Sequence, residues 1–63
     1  MEIKDLITID PDIMGGQPVF KGTWVPIETL FDHLETGVYL AEFLVDFDSV
    51  TKEQAVSILE IAK

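Results

Sequence analysis

Apolar residues are arranged in two different ways along the chain, and the change falls near Pro26. Before it they come in short runs rich in β-branched residues. Leu6-Ile7-Thr8-Ile9-Asp10 reads as a strand that Pro11 stops, because proline cannot donate to a ladder. Pro11-Asp12 and Gly15-Gly16 then frame a loop, with a tight reversal expected at the glycine pair, where positive φ costs little. Pro18-Val19-Phe20 and Thr23-Trp24-Val25 flank Lys21-Gly22, a pattern that predicts a hairpin turn.

From Ile27 the spacing becomes helical. Ile27, Leu30, Phe31 and Leu34 fall at i, i+3, i+4 and i+7, while Glu28, Asp32 and Glu35 take the opposite side, and Gly37 suits a helix stop. A second helix is predicted over Tyr39 to Phe47, with Leu40, Phe43, Leu44 and Phe47 inward and no standard N-cap. Thr51 and Gln54 form a capping box for a third, whose inward stripe is Ala55, Ile58, Leu59 and Ala62. Asp48-Ser49-Val50 joins the last two helices in helix-turn-helix proportions. The predicted fold is therefore mostly α, of α+β class: a short N-terminal β-hairpin region over residues 1–26, then a three-helix, helix-turn-helix-like bundle over 27–63, the two forming a single domain.

Composition changes this picture in two respects. The chain has 63 residues, 48% of them hydrophobic, and a domain this small has too little interior to hide them all. An exposed apolar patch is expected, and such patches mark interfaces. Without cysteine there are no disulfides to add stability, which makes oligomerisation the most available stabiliser. The candidate interface for a second copy or another partner is Ile7, Ile9, Phe20, Trp24 and Val25, in the β region; the alternative for Trp24 is that it roofs the helices of its own chain. The acidic start of the chain reads as neither a leader nor an anchor, and no apolar run is long enough for a membrane span, so a cytoplasmic location is expected.

The second change is charge. Four lysines, no arginine and twelve acids give a net charge of −8, which opposes approach to a polyanion. The outward positions predicted on the third helix, Lys52, Glu53, Ser57, Glu60 and Lys63, sum to zero. Lys21, Lys52 and Ser57 are the candidate nucleic-acid contacts, against the repulsion of Glu53 and Glu60. Glu28, Asp32 and Glu35 form an acidic stripe that reads either as a solvated face or as a mimic of a phosphate backbone for a basic partner. His33, the only imidazole, lacks a nucleophile and an orienting carboxylate in sequence, so it is expected to be a structural residue. No catalytic set, metal set or cofactor motif is read from the chain, and no enzymatic activity is expected.

The segment Gly15-Gly16-Gln17-Pro18-Val19, followed by Lys21-Gly22-Thr23-Trp24-Val25-Pro26-Ile27, resembles the prokaryotic domain of unknown function 433 family, also described as antitoxin-like. Asp10-Pro11, Gly37, Phe47-Asp48 and Val50-Thr51 fall at matching places, so the resemblance covers nearly the whole chain. It implies an N-terminal hairpin with a homeodomain-like three-helix unit. It also implies a role in a toxin-antitoxin pair, binding and silencing a toxin similar to a PIN-type ribonuclease, with regulation at an operator as an accompanying or alternative role. The chain departs from the family pattern at Lys21 and Trp24, where arginines are usual, and at Tyr39 and Asp48. Trp24 loses a positive charge, Lys21 keeps the charge but loses the guanidinium, and Tyr39 and Asp48 add an apolar and an acidic group; together they weigh against the nucleic-acid role.

Overall fold

The computed structural model describes residues 2–62, leaving Lys63 of the third helix's outward set outside the described residues. Two short strands, β1 (Ile7–Thr8) and β2 (Val19–Phe20), precede three helices, α1 (Ile27–Glu35), α2 (Leu40–Asp46) and α3 (Lys52–Ile61). Single turns of 3-10 helix at Ile3–Asp5 and Met14–Gly16 flank β1. The strands pair antiparallel, with Ile7 opposite Phe20 and Thr8 opposite Val19. The N-terminal hairpin is present, but its partners are not the adjacent runs that the sequence suggests. The turn at Lys21-Gly22 does form: the Thr23 amide donates to the Phe20 carbonyl at 3.0 Å, with Gly22 at φ 79°. Beyond it the returning chain makes only one bridge, Val19 to Pro26. That bridge cannot grow, since the turn closes it at one end and α1 begins at Ile27 at the other. β2 is thus flanked on both sides, and Val19 and Phe20 are both buried.

The strand expected over residues 6–10 shrinks to two residues. Leu6 instead caps the first 3-10 turn and goes into the core. There it joins Phe20, Leu30, Phe43, Val50, Ala55 and Ile58 in one cluster, so the β region and all three helices share a single interior. The helical stripes behave as their spacing predicts, with one correction: Ala62 lies past the end of α3 and is exposed, because the helix stops at Ile61.

Helix ends follow local chemistry. After α1 the Val38 amide bonds to the His33 carbonyl at 2.9 Å and the Gly37 amide to Leu34 at 3.1 Å, a Schellman closure that requires the positive φ of Gly37 (90°). At α3 both halves of the capping box form: Gln54 N–H donates to Thr51 Oγ1 at 3.1 Å, and Thr51 N–H to Gln54 Oε1 at 2.9 Å. The same carboxamide donates through Nε2 to the Lys21 carbonyl at 3.0 Å, fastening the start of α3 to the β2 turn. Gln54→Ala therefore removes two bonds at once and is expected to cost about 1 to 2 kcal/mol. A urea melt followed by circular dichroism measures this; an unchanged midpoint would show that the tether carries no stability.

Candidate functional site

The ladder fixes which side chains share a face. With Ile7 opposite Phe20, the antiparallel register sets Ile9 opposite Pro18, and all four side chains lie on the side that faces the helices. Phe20 is fully enclosed there and Ile7 packs against the core cluster. Ile9 and Pro18 extend beyond the helical cover, and Ile9 remains 68% exposed. Ile3, Lys4, Ile7, Ile9 and Pro18 line an open depression of about 460 Å³. A second depression of about 400 Å³ shares Ile7 and Pro18 and reaches α1 at Ile27, Glu28 and Phe31. Together they make one apolar groove between the ladder and the first turns of α1.

One wall of the groove leads to the carboxylates. Glu28 stands on its rim, and Asp32 and Glu35 follow at i+4 and i+7, all three exposed. None of them forms an ion pair within the chain among the described residues. The groove and the stripe are therefore adjoining parts of one surface. Sequence pattern alone does not mark Ile3, Pro18, Ile27 and Phe31 as interface residues. Ile27 and Phe31 belong to the inward stripe of α1, which is wider than the surface available to cover it; the apolar excess was the signal.

Of the five candidate interface residues, the structure brings Ile7 and Ile9 into the groove and corrects Phe20. Phe20 has no exposed surface and touches Phe43 at a ring separation of 6.4 Å, so it is a core residue and cannot anchor a partner. Val25 is half-buried against the core. Trp24 does not roof its own helices: it is 66% exposed and lines neither depression. The reason is Thr23, whose buried hydroxyl donates to the Phe20 carbonyl at 2.8 Å and accepts from the Val25 amide at 3.1 Å. Thr23 is thus held inward, and Trp24, the next residue along the extended chain, is turned out. If Trp24 is the self-association anchor, Trp24→Ser lowers the solution mass from that of a dimer to about the 7.1 kDa of one chain. Light scattering reads the difference, and equal masses for the two proteins would remove Trp24 from the interface.

The nucleic-acid candidates are less well placed. Lys21 and Lys52 are exposed, but Ser57 is half-buried. At the N-terminal turn of α3, where a reading helix meets base edges, Thr51 and Gln54 are engaged with each other and with the Lys21 carbonyl, and the next outward residue is Glu53. His33 is half-buried, its ring edge-on to Phe43 and Phe47 at 5.5 and 5.3 Å, and its Nδ1–H donates to the Thr29 carbonyl at 2.8 Å. Those contacts give the ring a packing role. No helix among the described residues is long and apolar enough to cross a membrane.

These features define a small α+β domain, with three helices on an N-terminal antiparallel pair and an apolar groove beside a row of carboxylates. The chain belongs to the family described as protein of unknown function DUF433, whose model matches residues 7–62. No curated protein and no solved structure matches it.

Proposed function

We propose that this protein is a non-catalytic, antitoxin-like interaction module of the cytoplasm that dimerises through Trp24 and binds a basic protein partner, a PIN-like ribonuclease, with its groove and acidic stripe. The observation that carries this reading is the continuity of the groove lined by Ile7, Ile9, Pro18 and Phe31 with the exposed carboxylates Glu28, Asp32 and Glu35. An apolar anchor site bordered by like charges is the anatomy of a protein interface: the groove supplies burial, and the charges supply orientation and encounter rate. Carboxylates spaced along a helix present a row of negative charge to a cleft that otherwise holds an RNA backbone.

The helix-turn-helix DNA-binding alternative is the weaker one. A net charge of −8 opposes it, as does an α3 N-terminus occupied by its own capping box and bordered by Glu53. Co-expression with the product of the neighbouring gene should yield a stable complex in which a ribonuclease activity is suppressed. A neighbour without affinity for this chain would remove the proposal, and a low-salt gel shift with the chain's own promoter would restore the alternative.

A further inference from the structure

β1 is an edge strand whose outer side is unpaired. The Lys21 amide donates to the Leu6 carbonyl at 2.8 Å, which together with the register directs the peptide groups of Thr8 towards β2. Alternation then leaves the N–H and C=O of Ile7 and Ile9 on the outer edge, and the sheet has no strand beyond β1 among the described residues. The other side of β2 is closed by the bridge to Pro26. One edge of the ladder is therefore open, and the two residues whose peptide groups face it, Ile7 and Ile9, also line the apolar depression with their side chains.

We propose that this edge receives an extended segment of a partner protein, apolar at alternate positions and carrying lysine or arginine, as an added antiparallel or parallel strand. The proposal rests on the interaction-module reading and specifies its mode. Backbone bonds to Ile7 and Ile9 hold the segment, its apolar side chains fill the groove, and its cations meet the acids around it. Charge selects this occupant. Glu2, Asp5 and Asp10 bracket the lining residues in sequence and Glu28 stands on the rim, with Lys4 the only cation there among the described residues, paired with Glu2 at 3.4 Å. A second copy docking symmetrically here would set the same acids face to face. An amphipathic helix would fill the groove but leave the edge groups of Ile7 and Ile9 unpaired.

The test uses short capped peptides of alternating valine and lysine, titrated into the full chain while amide hydrogen exchange is followed residue by residue. At saturation the Ile7 and Ile9 amides should exchange at least about tenfold more slowly. Binding should weaken about tenfold as salt rises from about 50 mM to about 0.5 M. A peptide N-methylated on alternate amides keeps its charge and apolar surface but cannot pair, and should lose both effects. The proposal is overturned if the N-methylated or a glutamate-for-lysine peptide binds equally well, if binding leaves Ile7 and Ile9 unprotected, or if no peptide binds. Concentration-dependent protection of the same amides in the free chain would assign the edge to a second copy and also overturn it. The co-expressed complex separates the two readings. If it forms with Ile7 and Ile9 unprotected, strand addition fails and the interaction module stands; if no complex forms, the module itself fails.

Discussion

Phe43→Ala is expected to leave the chain mostly unfolded at physiological temperature. The ring is completely buried and sits at the centre of an aromatic cluster, with Phe47 at 4.9 Å, His33 at 5.5 Å and Phe20 at 6.4 Å between centroids. Truncating such a residue costs about 3 to 5 kcal/mol in lost burial and residual cavity. Stability of roughly 0.05 to 0.15 kcal/mol per residue gives a chain of this length about 3 to 9 kcal/mol in total. The loss is comparable with the whole, and the melting temperature should fall by at least about 15 °C. Tyr39→Ala is the matched control, since Tyr39 precedes the same helix but is 76% exposed and caps α2 only through its backbone. It should change stability by no more than about 0.5 kcal/mol. Equal melting temperatures for the two variants would refute the assignment of the core.

The second large effect concerns binding and leaves folding intact. Replacing the stripe by its amides, Glu28→Gln, Asp32→Asn and Glu35→Gln together, should weaken the partner complex about 100-fold: three charge pairs at about 1 kcal/mol each, with every 1.4 kcal/mol a factor of ten. The folded chain should be unaffected or slightly more stable. All three groups are exposed, and like charges at i,i+3 and i,i+4 repel by about 0.2 to 0.5 kcal/mol per pair. Calorimetric titration of the partner, beside a thermal melt of the variant alone, separates the two quantities. An affinity equal to that of the unmodified chain would show that α1 faces solvent in the complex.

The helices were legible because their information is local. The apolar period at Ile27, Leu30, Phe31 and Leu34, the Gly37 stop and the Thr51–Gln54 box each act within one or two turns, and the structure contains all of them. The strand pairing was harder to read because its deciding terms are not local. Lys21-Gly22 is a genuine turn signal, yet it closes only one bridge, and the ladder forms instead across the ten residues between Thr8 and Val19. The choice between Phe20 and Trp24 was similarly hidden. Both are large aromatics beside the same turn; Phe20 lies in β2 and joins the core, whereas Trp24 follows the inward, hydrogen-bonded Thr23 and is turned out. Of the candidate surface, the carboxylate stripe and the two isoleucines were readable from spacing. The groove was not, since it arises where Ile27 and Phe31 of α1 come to lie beside Ile7 and Pro18.

The tether from Gln54 to Lys21 bears on the order in which the chain assembles. It spans 33 residues and closes a loop whose entropy alone costs about 3 kcal/mol, far more than one exposed hydrogen bond returns. It therefore forms after the hairpin turn and the helices have been brought together by the core, and it adds nothing to the barrier on the way in. Its loss should act on the exit rate: Gln54→Glu, which keeps the acceptor for Thr51 N–H and loses only the Nε2 donor, speeds unfolding severalfold while refolding slows little. One carboxamide, placed at the seam between the β region and α3, thus sets how long the assembled surface persists more than how quickly it forms.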